Sequence, residues 1–196
     1  MLIKASRITN LTDARYFAAK EVDFLGFNLE EGTEGFLEPM YMKAIREWVE
    51  GPKIVGEFSR STPAYVREAA TFFGLDAVQV TPQLSAQLSD LEGLIVFMEI
   101  LSAEMDEHFF QQAAPFVSWF LIKMESSRLS EKSLLKIKNL CSEYPVLIQT
   151  DAPARQFSEL LETLQPAGLS LVGGEEEQVG VKSFDEIEAI FDLLEK

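Results

Sequence analysis

A closed (β/α)8 barrel is the fold this sequence predicts, and three observations carry that reading. Short runs rich in β-branched and aromatic residues alternate with longer amphipathic stretches along the 196 residues. Most of the short runs are apolar at successive positions, as in strands buried on both faces, which indicates a parallel sheet covered by helices. The alternation is counted eight times, compact beside the ~250 residues typical of such a barrel. A doubly wound open sheet is the alternative, and it usually needs fewer strands.

The first strand is Ile3-Lys4-Ala5-Ser6, and a helix over 12–22 follows with Thr12 or Asp13 as its cap. Strand two, 24–29, leads through a Gly- and Glu-rich loop to a helix over 40–49 that Glu50-Gly51-Pro52 stops. On that helix Met40, Tyr41 and Met42, with Trp48, read as core-facing residues and not as a cofactor box. Strand three, 53–58, precedes a helix in which Thr62 caps and Pro63 takes the first position. Then come strand four at 77–80, a weak helix at 85–91, strand five at 94–100 and a helical pattern over 102–114. Strand six is 117–123, and Ser130 opens a helix to about Tyr144. Strand seven is 145–150, and Pro153 starts a helix to Leu164. Strand eight, 169–172, reaches Gly173-Gly174, and Ser183-Phe184-Asp185-Glu186 is a capping box for a terminal helix to Leu194. Residues 1–196 are read as one domain.

Composition narrows the function. The net charge is −15, from 32 acidic against 17 basic side chains. Nucleic acid and anionic lipid need a basic footprint, so neither is an expected partner. The runs Glu30-Glu31 and Glu175-Glu176-Glu177 read as solvated loops. No apolar run approaches the ~18 residues of a membrane span. The opening Met1-Leu2-Ile3-Lys4-Ala5 passes into a strand without the layout of a signal peptide, so a cytoplasmic location is expected. Cys141, the single cysteine, excludes an intramolecular disulfide and reads as a packing residue. His108, the single histidine, reads as an ordinary residue of an outer helix. No cofactor or metal is called for: Glu57, Glu99, Glu125 and Asp151 offer carboxylates, but no spacing specifies a site. The expected partner is a small-molecule ligand, with the chain a monomer or homodimer.

In a barrel, chemistry belongs to the carboxyl ends of the strands. Here these are Ser6, Asn28, Glu57, Thr81, Glu99 or Leu101, Lys123 or Glu125, Asp151 and Gly173.

Several of these ends lie in recognisable motifs. Lys4-Ala5-Ser6-Arg7-Ile8-Thr9 and Asp13-Ala14 match K-I-C-G-I-T and a following D-A. Gly26-Phe27-Asn28-Leu29, with the loop through Pro39, looks like G-F-x-F…P-G-S-P-R-Y-V-S-P. Val55-Gly56-Glu57-Phe58 and the run from Gly74 to Thr81 are similar to V-G-V-F and G-L-D-x-V-Q-L-H-G. Val179-Gly180-Val181-Lys182-Ser183 is similar to P-G-V-K-D. In these segments the chain resembles phosphoribosylanthranilate isomerase, a barrel enzyme of tryptophan biosynthesis. The resemblance implies an Amadori rearrangement in which a cysteine is general base and an aspartate general acid. The cysteine position is Ser6, and the aspartate position is Lys123, with Glu125 two residues on. Arg7 stands where the motif has glycine, Gly35 where it has arginine and Thr81 where it has histidine. The phosphate turns implied after strands seven and eight are Gln149-Thr150-Asp151 and Val172-Gly173-Gly174-Glu175. The resemblance thus makes Ser6 and Lys123 the catalytic positions and Arg7, Asp151, Gly173 and Gly174 the substrate-binding ones.

The residues at those positions argue against the reaction. A serine hydroxyl holds its proton too tightly to replace a thiolate base without a partner, and the sequence supplies Ser6 with none. A carboxylate ~6 Å from a phosphate costs roughly 3 kcal/mol per charge pair at an effective dielectric of 20, which sets Asp151 and the Glu175 run against a phosphosugar. The expected function is that of an isomerase-like barrel without isomerase activity, in a binding or regulatory role. The alternative is an enzyme, either the isomerase itself or a Schiff-base lyase or aldolase using Lys123, whose amine burial would make more nucleophilic. A third reading pairs Lys123 with Glu99, Glu125 or Asp151 as filling for a vacated site.

Overall fold

A computed structural model describes residues 1–124, 129–173, 176–178, 181–182 and 184–194. Glu125, Gly174, Glu175 and Ser183 lie outside the described residues.

Eight parallel strands close a barrel in sequence order. They are β1 (Leu2–Ser6), β2 (Phe24–Asn28), β3 (Lys53–Glu57), β4 (Ala77–Val80), β5 (Ile95–Leu101), β6 (Trp119–Lys123), β7 (Val146–Gln149) and β8 (Gly168–Val172). β1 completes the ring by pairing with β8 from Leu2↔Gly168 to Ser6↔Val172. Glycine is required where that seam begins. A Cβ on Gly168 would stand 2.4 Å from the Leu2 carbonyl oxygen, and backbone cannot give way as a side chain can.

The helices on the outside are α1 (Leu11–Ala19), α2 (Pro39–Arg46), α3 (Pro63–Phe73), α4 (Glu107–Ala113), α5 (Glu131–Glu143), α6 (Ala154–Leu164) and α7 (Asp185–Leu194). A 3-10 segment, Pro82–Leu91, replaces the helix between β4 and β5 and is broken at Gln87, whose backbone is non-helical. Alternation along each strand then divides the apolar residues in two. One set, including Ala5, Phe27, Val78, Met98, Phe120, Ile148 and Leu171, faces outward and packs beneath the helices. The other, Phe24, Val55, Ala77, Phe97, Leu121 and Leu147 with Leu2, Ile95 and Trp119, fills the amino-terminal half of the barrel interior. This second set is the floor on which the functional layer stands.

Several local expectations change. Asn10, not Thr12 or Asp13, caps α1: its side-chain oxygen accepts the Asp13 N–H at 2.9 Å, so Asp13 is already inside the first turn. Asp106 caps a shorter α4, leaving residues 102–106 outside the helix that the pattern over 102–114 suggests. Thr62 and Ser130 cap α3 and α5 as expected. Of the four large residues in and after α2, only Met42 is in the core; Met40 and Tyr41 are each 63% exposed and Trp48 71%. The reason is length: α2 spans eight residues and turns the Met42 and Ile45 stripe inward, and Trp48 lies beyond its end. Two residues of the glutamate run read as a solvated loop, Glu176 and Glu177, belong to strand β9 (Glu176–Gln178), paired antiparallel with β10 (Val181–Lys182). Cys141 packs against the outer core, and burial pushes its thiol up to about 11, which keeps it protonated at neutral pH.

Candidate functional site

Above the apolar floor the barrel interior turns polar. Lys4, Ser6, Glu57, Gln79, Gln149 and Ser170 are all buried there, and Lys4 has no exposed surface at all. Such groups are tolerated only if they satisfy one another. The Lys4 ammonium lies 2.5 Å from Glu57 Oε1 and 2.5 Å from Ser6 Oγ. Ser6 Oγ is 2.7 Å from Ser170 Oγ, which donates to Gln149 Oε1 at 3.1 Å. Since Ser170 gives its one proton to Gln149, the Ser6 proton points to Ser170. The chain therefore runs in one direction: Lys4 donates to Ser6, Ser6 to Ser170, Ser170 to Gln149.

Gly26 makes room for this pair. A Cβ there would come 2.1 Å from Glu57 Oε1 and 2.6 Å from Lys4 Nζ. The glycine of the Gly26-Phe27 motif is thus a volume requirement of the buried ion pair.

The sequence leaves Ser6 without a plausible base, and the neighbour it has in the structure is Lys4. Lys4 lies two residues earlier on the same inward face of β1, which period-two alternation is sufficient to find. The partner is a hydrogen-bond donor, however, and its charge is already matched by Glu57. Ser6 is 2% exposed and lies beneath the mouth.

Two cavities open at the carboxyl ends of the strands. The larger, about 510 Å3, lies toward β6–β8 and is lined by Arg7, Lys123, Gln149, Thr150 and Asp151, with an apolar side from Met124, Leu171, Val172, Ile187 and Ile190. It brings together three of the expected site residues, Arg7, Lys123 and Asp151. Gly173 follows the lining residue Val172 and is half-buried. The smaller cavity, about 240 Å3, lies toward β2–β5, with Glu57, Gln79 and Glu99 at its inner end. Arg7 lines both. Its φ of 55° is left-handed, a conformation that costs a side-chain-bearing residue about 1–2 kcal/mol, and glycine at this motif position would avoid the cost. Among the described residues Lys123 has no ion pair, so the expected pairing with Glu99 or Asp151 is not what holds it. Glu99 instead accepts from Gln79 Nε2 at 2.6 Å.

One carboxylate that the sequence consigns to a solvated loop is built into the mouth. Glu30 is 9% exposed, and its Oε2 accepts the N–H groups of Ser59, Arg60 and Ser61 at 2.8, 2.8 and 3.1 Å. Its Oε1 accepts the Ser61 hydroxyl at 2.9 Å. Burial alone would raise the Glu30 pKa, but these donors outweigh it and hold the carboxyl below its ordinary value. The contact staples the β2–α2 loop to the β3–α3 loop.

Two predictions follow from these contacts. Glu57→Ala leaves the Lys4 charge buried and unpaired, and chemical denaturation should report a loss of about 3–5 kcal/mol. The double variant Lys4→Met/Glu57→Leu should recover most of it, because removing both charges removes the desolvation cost. Glu30 has a lowered folded pKa, so its contribution is present above the unfolded value near ~4.3 and is lost as pH falls through the folded value. Glu30→Gln should cost roughly 1–2 kcal/mol at neutral pH. Its melting temperature should converge with that of the unaltered chain as both are acidified through the lowered folded value of Glu30.

No protein-family profile and no curated protein matches the sequence. Solved structures match it over its full length. The phosphoribosyl anthranilate isomerase of Thermus thermophilus is 22% identical, with a TM-score of 0.78 over 100% of this chain and 98% of that one. The isomerase of Thermotoga maritima is 18% identical, with a TM-score of 0.76 over 100% of this chain and 99% of that one. A third isomerase, solved with reduced 1-(o-carboxyphenylamino)-1-deoxyribulose 5-phosphate, is 17% identical, with a TM-score of 0.76 over 100% of this chain and 98% of that one. The chain has the barrel fold of phosphoribosylanthranilate isomerases from its first strand to its last helix.

Proposed function

We propose that this chain is a small-molecule-binding barrel of phosphoribosylanthranilate isomerase ancestry that does not carry out the isomerase reaction. The observation that carries the reading is the hydrogen-bond direction at Ser6. An ammonium donates to its oxygen, and its own proton is given to Ser170. A general base needs an unprotonated atom facing the substrate, and this hydroxyl is engaged on both sides and buried.

The binding positions support the same reading. The ligand in the third isomerase structure carries, by its name, a carboxylate and a phosphate. Here Gly35 replaces the arginine of the similar motif, and the Lys4 charge is matched by Glu57. Asp151 lines the cavity on the side where the resemblance places the phosphate, so a dianion there meets a carboxylate as well as the cations Arg7 and Lys123. Among the described residues no helix is long and apolar enough to cross a membrane. A cytoplasmic monomer or homodimer with a small ligand remains our reading of its setting. Expression in a tryptophan auxotroph lacking the isomerase should give no growth without tryptophan; growth would overturn the proposal.

A second reading is favoured by Lys123. Its side chain lines the larger cavity, and among the described residues no carboxylate is paired with it. A neutral amine there would condense with a carbonyl compound, releasing water and forming an imine, as Schiff-base lyases and aldolases do. Borohydride added with a panel of small aldehydes and ketones would reduce that imine to a stable secondary amine. Mass spectrometry should locate the adduct on Lys123 and not on the exposed lysines; an unmodified Lys123 across the panel would sink this reading.

A further inference from the structure

The larger cavity meets an amide whose orientation the buried lysine dictates. An ammonium has protons to give and no lone pair to receive one, so the chain that starts at Lys4 has one direction. Ser6 passes its proton to Ser170, and Ser170 donates to Gln149 Oε1 at 3.1 Å. That contact turns the amide oxygen of Gln149 toward β8 and leaves Nε2 facing away from it. Gln149 is 9% exposed and lines the larger cavity. Among the described residues its Nε2 has no hydrogen-bond partner, and it is not one of the unpartnered polar atoms sealed from solvent. The amide therefore offers its N–H groups to the cavity.

Further donors line the same space. Lys123, half-buried at the end of β6, has no ion pair among the described residues. Arg7, which is exposed, lines the cavity as well. Thr150 Oγ1 accepts the Ala152 N–H at 3.2 Å, and its own proton has no acceptor among the described residues. Asp151, also exposed, is the one carboxylate in the described lining. Two cations against one carboxylate leave a single positive charge in excess. A ligand carboxylate supplies one negative charge and two acceptor oxygens, and so answers the amide and the ammonium together. The other wall, from Leu171, Val172, Ile187 and Ile190, is apolar and rewards a tail that leaves water. At about 510 Å3 the cavity falls within the ~300–1,000 Å3 of small-molecule sites.

We propose that the larger cavity binds a small monocarboxylic acid with an apolar tail. Its carboxylate takes the Lys123 ammonium and the Gln149 N–H groups, with Arg7 facing it, and its tail lies along Leu171, Ile187 and Ile190. A phosphate monoester would bring a second negative charge where only one is in demand. The inference rests on the non-isomerase binding reading and deepens it, since it names the class of ligand.

Isothermal titration calorimetry on the full chain at constant ionic strength tests it, with hexanoate, butyrate, 1-hexanol and hexyl phosphate as probes. The buffer is held at about pH 8, where the phosphate ester carries two charges. Hexanoate should bind saturably, and butyrate roughly tenfold more weakly, because two methylenes leave the apolar wall. Both 1-hexanol and hexyl phosphate should bind more weakly than hexanoate. Lys123→Met keeps an apolar stem and removes the charge, so hexanoate should fall to the level of 1-hexanol while 1-hexanol is unchanged. Arg7→Gly suits the left-handed backbone at that position, so it should weaken hexanoate severalfold without lowering the melting temperature. An absence of hexanoate binding overturns the proposal. So does 1-hexanol or hexyl phosphate binding as tightly as hexanoate, and so does unaltered hexanoate affinity in both variants. Growth of the auxotroph strikes the non-isomerase reading by itself, so the two failures are distinguishable.

Discussion

The ion pair between Lys4 and Glu57 is the constraint around which the barrel interior is arranged. Removing an ammonium and a carboxylate from water costs several kcal/mol for each, even after relaxation, and their attraction compensates only with close geometry and further hydrogen bonds. The barrel supplies both conditions. Gly26 clears the volume between β1 and β3, and Ser6 takes another of the ammonium's protons. Ser170 and Gln149 then continue the donor chain toward β7. The apolar floor beneath excludes water from below. Four strands, β1, β3, β7 and β8, are thus joined through one lysine, and the serine that the resemblance marks for chemistry is engaged in holding it.

The barrel was legible because its evidence is repeated. Eight alternations, a Pro63 at a helix start and glycines at the motif positions all point the same way, and local errors such as the cap of α1 do not accumulate. The mouth was less legible because its contacts join residues far apart in the chain. Nothing near Glu30 in sequence indicates that three N–H groups some thirty positions later will receive it. Gln79 lies inside an apolar run, and only the closed ring brings Glu99 to its amide. Lys4 differs in that its spacing from Ser6 places both on one face, a signal present in the sequence that the reading of Ser6 left unused. Met40, Tyr41 and Trp48 failed for another reason, since an apolar residue in a short helix has no fixed side until the helix ends are known.

Electrostatically, the mouth is divided. The three consecutive N–H groups of Ser59, Arg60 and Ser61 form the kind of concave backbone cradle that receives anions in other proteins. Here the chain fills it with its own Glu30 carboxylate. On the opposite side, Lys123 and Asp151 face one cavity, and Arg7 lines both it and the other. The strain at Arg7 is consistent with a side chain retained for where it points, since the backbone there favours glycine.

Gly26 has a bearing on descent as well as on packing. Positions 4, 26 and 57 are one physical unit: the lysine needs its carboxylate, and the pair needs the missing Cβ. In sequences related to this one, the three positions are expected to vary together. A relative with an aliphatic residue at position 57 has released its lysine to face the mouth, while one with a side chain at position 26 has given up the pair altogether. A covarying triplet at these positions would therefore sort related barrels by whether the lysine is sequestered or free.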